Sequence, residues 1–121
     1  MKNIEPGVHR QRLAIEAHYT AEINRDLVKK YLIDLADELH MHIHPDLPEP
    51  LITSATGKAN PIHDGYEGVI IWLESGAQIY IWEKLKFLTV DIYTCSAFDS
   101  KIARDFTANF FKTTDMEHNE L

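Results

Sequence analysis

Residues 12–19, RLAIEAHY, alternate between apolar and polar, with Leu13, Ile15, Ala17 and Tyr19 on one side and Ala14, Glu16 and His18 on the other. A period of two is that of a half-buried strand. The period then lengthens to four. Ile23, Leu27, Tyr31, Leu35 and Leu39 recur with Val28 and Leu32 beside them, while Arg25, Lys29, Lys30 and Asp34 take the opposite side. This is an amphipathic helix, capped by Thr20 or Asn24. Four of the five prolines and two glycines fall between residues 45 and 65, so that stretch reads as loop with room for a short strand at 51–54. Two strands follow, at roughly 67–74 and 76–82, and a third at 87–95. In the third, Leu88, Val90 and Ile92 form one face and Thr89, Asp91, Tyr93 and Cys95 the other. Asp99 caps a second helix whose inner stripe is Ile102, Ala103, Phe106 and Phe110, and the closing TDMEHNEL is at most a short edge strand.

This order predicts an α+β fold: a two-layer α/β sandwich, its mainly antiparallel sheet carrying two helices on one face. With 121 residues, 45% of them apolar, residues 1–121 make one domain. A chain of that size buries roughly two thirds of its unfolded surface. The other sheet face is the informative one. It would carry Glu16, His18, Gln78, Tyr80, Trp82, Asp91, Tyr93 and Cys95, a set too aromatic for plain solvated surface and too polar for core. Such a face is a ligand site, a subunit interface, or both.

Charge narrows the partners. Nineteen acids against 12 basic residues give a formal charge of −7, with no basic block to draw nucleic acid or an anionic membrane. A small cationic or zwitterionic molecule fits better. The longest apolar run, 69–73, is far short of a bilayer span, and MKNIEPGVHR has no apolar signal core, so the expected location is the cytoplasm. One cysteine, Cys95, excludes an internal disulfide and a cysteine-based zinc cluster. His40, His42 and His44 in HMHIH have the spacing of strand-borne metal ligands, but the helix pattern reaches His40 and breaks their shared face, so no metal is expected. TGKAN lacks the flanking glycine and hydroxyl of a phosphate loop and reads as a turn.

The joint between the strands at 67–74 and 76–82 is unusual. There GVIIWLESGAQIYIW places Glu74 and Ser75 where a turn would favour asparagine and glycine, and VDIYTC ends at Cys95, twenty residues after the serine. With Trp82 and the opening RLAIEAHY, these residues resemble the prokaryotic S-adenosylmethionine decarboxylases over roughly residues 10–112. The resemblance implies self-cleavage between Glu74 and Ser75, with Ser75 becoming a pyruvoyl group that draws off electrons as carbon dioxide leaves. It makes Glu74 the new C-terminus and Cys95 the acid that returns a proton to the substrate carbon. It also implies a homodimer and a role in polyamine synthesis, specifically spermidine synthesis.

The chain departs from the family at four matched positions. The processing histidine falls on Tyr80, the assisting serine on Glu67, the histidine after the cleaved serine on Gly76, and the acid that holds the ribose on Lys84, with Glu83 one place away. Tyrosine, ordinarily near pKa ~10, is a poor base at neutral pH, which leaves His18 or Glu67 to take the proton. The candidate catalytic residues are therefore Ser75, Cys95, Tyr80 and Glu74, and those for substrate Trp82, Glu67, Lys84 and Glu83. The reading is a pyruvoyl-dependent decarboxylase of S-adenosylmethionine or a related amino acid. The alternative is an unprocessed homologue that binds an adenosyl or amino-acid ligand.

Overall fold

Asn24, of the two candidate caps, starts the first helix: its side chain accepts from the Leu27 N–H at 2.8 Å, and helix α1 runs Arg25–Glu38. Val28, Tyr31, Leu32, Leu35 and Ala36 make its buried stripe. Asp99 caps helix α2, Ser100–Phe111, by accepting from the Lys101 N–H at 2.9 Å. The computed structural model describes residues 1–55 and 60–121, so the expected TGKAN turn lies, apart from Asn60, outside the described residues.

Six strands form one sheet: β1 Gln11–Tyr19, β2 Leu51–Ala55, β3 Gly65–Trp72, β4 Ser75–Trp82, β5 Phe87–Thr94 and β6 Thr113–Glu120. Their order is β2-β3-β4-β5-β1-β6, and every neighbouring pair is antiparallel. Helix α1 lies over β2 and β3, α2 over β1 and β6. Between helices and sheet sits one core, built from Leu13, Ile15, Ile70, Trp72, Ile79, Leu88, Val90 and Ile92 below and the helix stripes above. The α+β two-layer sandwich is the predicted one, with both helices on one face. Among the described residues no helix is long and apolar enough to cross a membrane.

Three expectations are corrected. The fully buried stripe of α2 is Ala103, Thr107 and Phe111; of the expected residues Ala103 belongs to it, Phe106 and Phe110 pack partly buried against the core, and Ile102 is exposed. A threonine can be buried there because its hydroxyl donates to Ala103 O at 2.8 Å and meets the Tyr31 hydroxyl at 2.8 Å. Since one hydroxyl holds one proton, Tyr31 must be the donor in that second bond. The C-terminal stretch is a full eight-residue edge strand, held along β1 by backbone pairing that its polar composition does not advertise. Finally, His40 has a left-handed backbone (φ 57°) and ends the helix, while His42 and His44 flank the Ile43 bridge to Trp72. The three histidines share no strand face.

Candidate functional site

The uncovered face can be read row by row from the strand register. At one end lie Trp82, Phe87, His18 and Asp115; next come Thr53, Glu67, Tyr80, Thr89, Glu16 and Glu117; then Val69, Gln78, Asp91 and Ala14; last Ile71, Gly76, Tyr93 and Arg12. Ser75 sits at the corner beside that last row.

The corner is made by a tight hairpin. Trp72 pairs with Ser75, so Leu73 and Glu74 alone turn the chain. Glu74 adopts φ 58°, a left-handed conformation that costs a residue with a Cβ about 1–2 kcal/mol. Strain of this kind persists only where the surroundings hold it, and it gathers at functional sites. Here the turn is held from below, by the Leu73 N–H donating to His42 O at 3.0 Å. Strand β5 ends at Thr94, whose hydroxyl donates to Ser96 O at 2.6 Å and bends the chain so that Cys95 meets the hairpin. The Cys95 N–H donates to Ser75 Oγ at 3.1 Å, and Oγ lies 3.6 Å from Cys95 Sγ. The thiol is 3.5 Å from Glu74 Oε2. Glu74, Ser75 and Cys95 thus form one constellation, in which the thiol meets both the hydroxyl and the carboxylate at a strained peptide.

Two spaces meet at this wall. On the uncovered face Ser75 borders a groove of about 650 Å³, with Val69, Ile71, Gly76, Tyr93 and Arg12 among its lining. Gly76 could not take a side chain without a backbone shift, because a Cβ there would stand 2.7 Å from Ile70 O. Cys95 opens instead to a cavity of about 450 Å³ between the end of α1 and the hairpin, bordered by His40, His42, Glu74 and Asp99. This corrects its expected place on the uncovered face, since the bend after Thr94 carries it off the strand.

The remaining candidates lie elsewhere along β4. Tyr80 is five strand steps from Ser75, about 16 Å at ~3.3 Å per residue, and Trp82 is seven, about 23 Å. Tyr80 is paired with Glu67, whose Oε2 accepts from the Thr53 hydroxyl at 3.3 Å. Trp82 Nε1 donates to His63 Nδ1 at 3.1 Å and packs on Phe87, ring centroids 5.3 Å apart. Glu83 and Lys84 belong to the next turn, where the Glu83 N–H donates to Asp64 O at 3.0 Å and Lys84 is exposed. Within one chain, then, Tyr80, Glu67, Trp82, Glu83 and Lys84 gather at the end of the face opposite Ser75.

Two features escaped sequence reasoning. His18 is oriented by Asp115, Nδ1 to Oδ2 at 3.0 Å, and its backbone N–H donates to the same carboxylate at 2.8 Å. That backbone bond first, and the ring second, hold the Asp115 carboxyl below the usual aspartate range. The pair was hidden because it needs β6. Arg12 over the Tyr93 ring, Cζ 4.9 Å from its centroid, was hidden because only the register puts them side by side.

The family model described as S-adenosylmethionine decarboxylase matches residues 16–121. The fold is similar to a crystal structure of the adenosylmethionine decarboxylase from Aquifex aeolicus, with a TM-score of 0.69 and 14% identity over 94% of this chain and 89% of that one. No curated protein matches.

Proposed function

The chain belongs to the S-adenosylmethionine decarboxylase family, and on that premise we propose that it is a pyruvoyl-dependent decarboxylase of S-adenosylmethionine or a related amino acid. The observation that carries this reading is the Ser75–Cys95 contact, Oγ to Sγ at 3.6 Å, beside the left-handed Glu74. In the cleavage step Ser75 Oγ attacks the Glu74 carbonyl carbon and the amide becomes an ester. Loss of the Ser75 α-proton then breaks the Cβ–Oγ bond and frees Glu74 as a carboxylate, and hydrolysis of the remaining enamine releases ammonia. The Cys95 N–H, already aimed at Oγ, supports negative charge on that oxygen as it forms.

The residues present fit a pyruvoyl group. It would be built from Ser75's own atoms at the start of β4, with the Cys95 thiol on one side and the groove over Gly76 on the other. That group supplies an electron sink for loss of carbon dioxide. The protein's part is to admit the substrate through the groove, to exclude water from an apolar floor, and to hold at Cys95 Sγ a proton that can be handed to carbon.

The same reading includes a homodimer, in which two uncovered faces cover one another. A two-fold axis across the strands would bring the Tyr80 and Lys84 end of one copy over the Ser75 end of the other, joining candidates that one chain keeps about 16–23 Å apart. The second reading is an unprocessed binding protein. It is favoured by the absence, among the described residues, of a histidine or carboxylate hydrogen-bonded to the Ser75 hydroxyl, whose partners are the Cys95 N–H and thiol. Incubating purified protein and following both carbon dioxide release from S-adenosylmethionine and chain cleavage separates the two, since only the enzyme yields both.

A further inference from the structure

Arg12 and Asp91 line the groove beside Ser75, and among the described residues neither has an ion-pair partner. Arg10 is occupied by the Glu5 and Val8 carbonyls and by Asn3, and Arg25 by the Ile52 carbonyl. Arg12 differs. Among the described residues its guanidinium has neither an ion-pair partner nor a hydrogen bond, and it lies on the Tyr93 ring inside the groove. Asp91, also in the groove and exposed, is likewise without an ion-pair partner among the described residues. The register fixes the spacing: Tyr93 stands between Gly76 and Arg12, so the two backbones are about 10 Å apart at ~4.8 Å per strand. The guanidinium lies over the ring of Tyr93, the residue paired with Gly76 beside Ser75.

A guanidinium backed by an aromatic ring and facing an apolar floor presents a planar fork of donors to one side, the geometry that matches a carboxylate with two parallel hydrogen bonds. A phosphate would match the fork as well, but Asp91 and the net charge of −7 disfavour a dianion. We propose that Arg12 receives the α-carboxylate of the amino-acid substrate and that Asp91 faces the substrate's second positive charge. This rests on the reading that the groove beside Ser75 admits an amino acid. It selects an α-amino acid with a cationic side chain, whether sulfonium or ammonium. Because the carboxylate loses its charge as carbon dioxide forms, an ion pair to it is stronger in the ground state than in the transition state. Arg12 is therefore a positioning and affinity residue, and its removal raises KM while kcat holds or rises.

The test uses the full chain carrying Ser75→Ala, which cannot process, with calorimetric titration of two ligand pairs: S-adenosylmethionine with 5′-methylthioadenosine, and ornithine with putrescine. Only the first member of each pair has a carboxylate. Adding Arg12→Gln should weaken the carboxylate-bearing member about 10- to 100-fold, the range for a charge-assisted hydrogen-bond pair, and leave its companion within about twofold. Arg12→Lys, which keeps the charge but loses the fork, should recover part of the loss, with thermal midpoints unchanged across the series. Equal weakening of both members, or none, overturns the assignment while leaving the family function standing. Arg12-dependent binding of ornithine with no binding of S-adenosylmethionine upholds it and removes the adenosyl substrate. If neither amino acid binds, both fall.

Discussion

Replacing Glu74 by glycine should make the protein more stable. The left-handed backbone at φ 58° costs a residue with a side chain about 1–2 kcal/mol, and glycine removes that cost. Against it stand the greater freedom of glycine in the unfolded chain, about 0.5–1 kcal/mol, and loss of the weak thiol contact to Oε2 at 3.5 Å. The net gain is about 0.5–1 kcal/mol, or a rise of about 2–4 °C in midpoint for a chain of this size. Leu73→Gly is the control. Leu73 is not left-handed, so its replacement brings the entropy cost without the relief and should lower the midpoint. Scanning calorimetry of wild type and both variants decides, with Ser75→Ala in every background so that cleavage does not intervene. If Glu74→Gly loses as much stability as Leu73→Gly, the turn carries no strain and the case for a glutamate retained there for chemistry is lost.

Tyr80→His should speed cleavage, and do so in proportion to the dimer population, because in one chain position 80 is about 16 Å from Ser75. Cleavage rates that are independent of protein concentration would refute the shared site. The uncovered face carries Glu16, Glu67, Asp91, Asp115 and Glu117 against Arg12 and His18. Self-association measured by sedimentation should therefore strengthen as salt rises from low to physiological concentration. Thr107→Val leaves the fully buried Tyr31 hydroxyl without its acceptor and should cost about 1–3 kcal/mol in urea unfolding. The Asp115 carboxyl titrates below its ordinary value of 3.8, so its contribution is present above that value and is lost as pH falls through the lowered one. Carbon-detected NMR should find that late titration together with acid fraying of β6, the extra fraying being absent in Asp115→Asn.

Much of the architecture was legible because its periods are strong. The alternation of β1 and the four-residue recurrence of α1 each point to one face, and Asn24 and Asp99 act as the caps their side chains suggest. What failed did so where local pattern and tertiary context part. Thr107 reads as polar and is buried because Tyr31 needs an acceptor. Strand β6 has too few apolar residues to announce itself and exists because β1 offers a free edge. Ser75, Glu74 and Cys95 were singled out by the family resemblance, but the contact of Cys95 with the other two depends on the bend after Thr94, which the strand pattern of VDIYTC ran straight through. Arg12 was illegible as a groove residue, since its neighbour Tyr93 is 81 positions away and is brought beside it only by the β1 and β5 register. Tyr80, Trp82 and Lys84 were grouped with Ser75 by matched position, and the length of β4 separates them.

The most direct test is the intact mass of purified chain under denaturing conditions, followed over prolonged incubation at high protein concentration. The expected result is slow conversion into two fragments, residues 1–74 with a free C-terminal Glu74 and residues 75–121 with pyruvoyl in place of Ser75, and no conversion in Ser75→Ala. A wild-type chain that stays at its full 14.0 kDa throughout would contradict the proposed enzyme and leave the binding protein in its place.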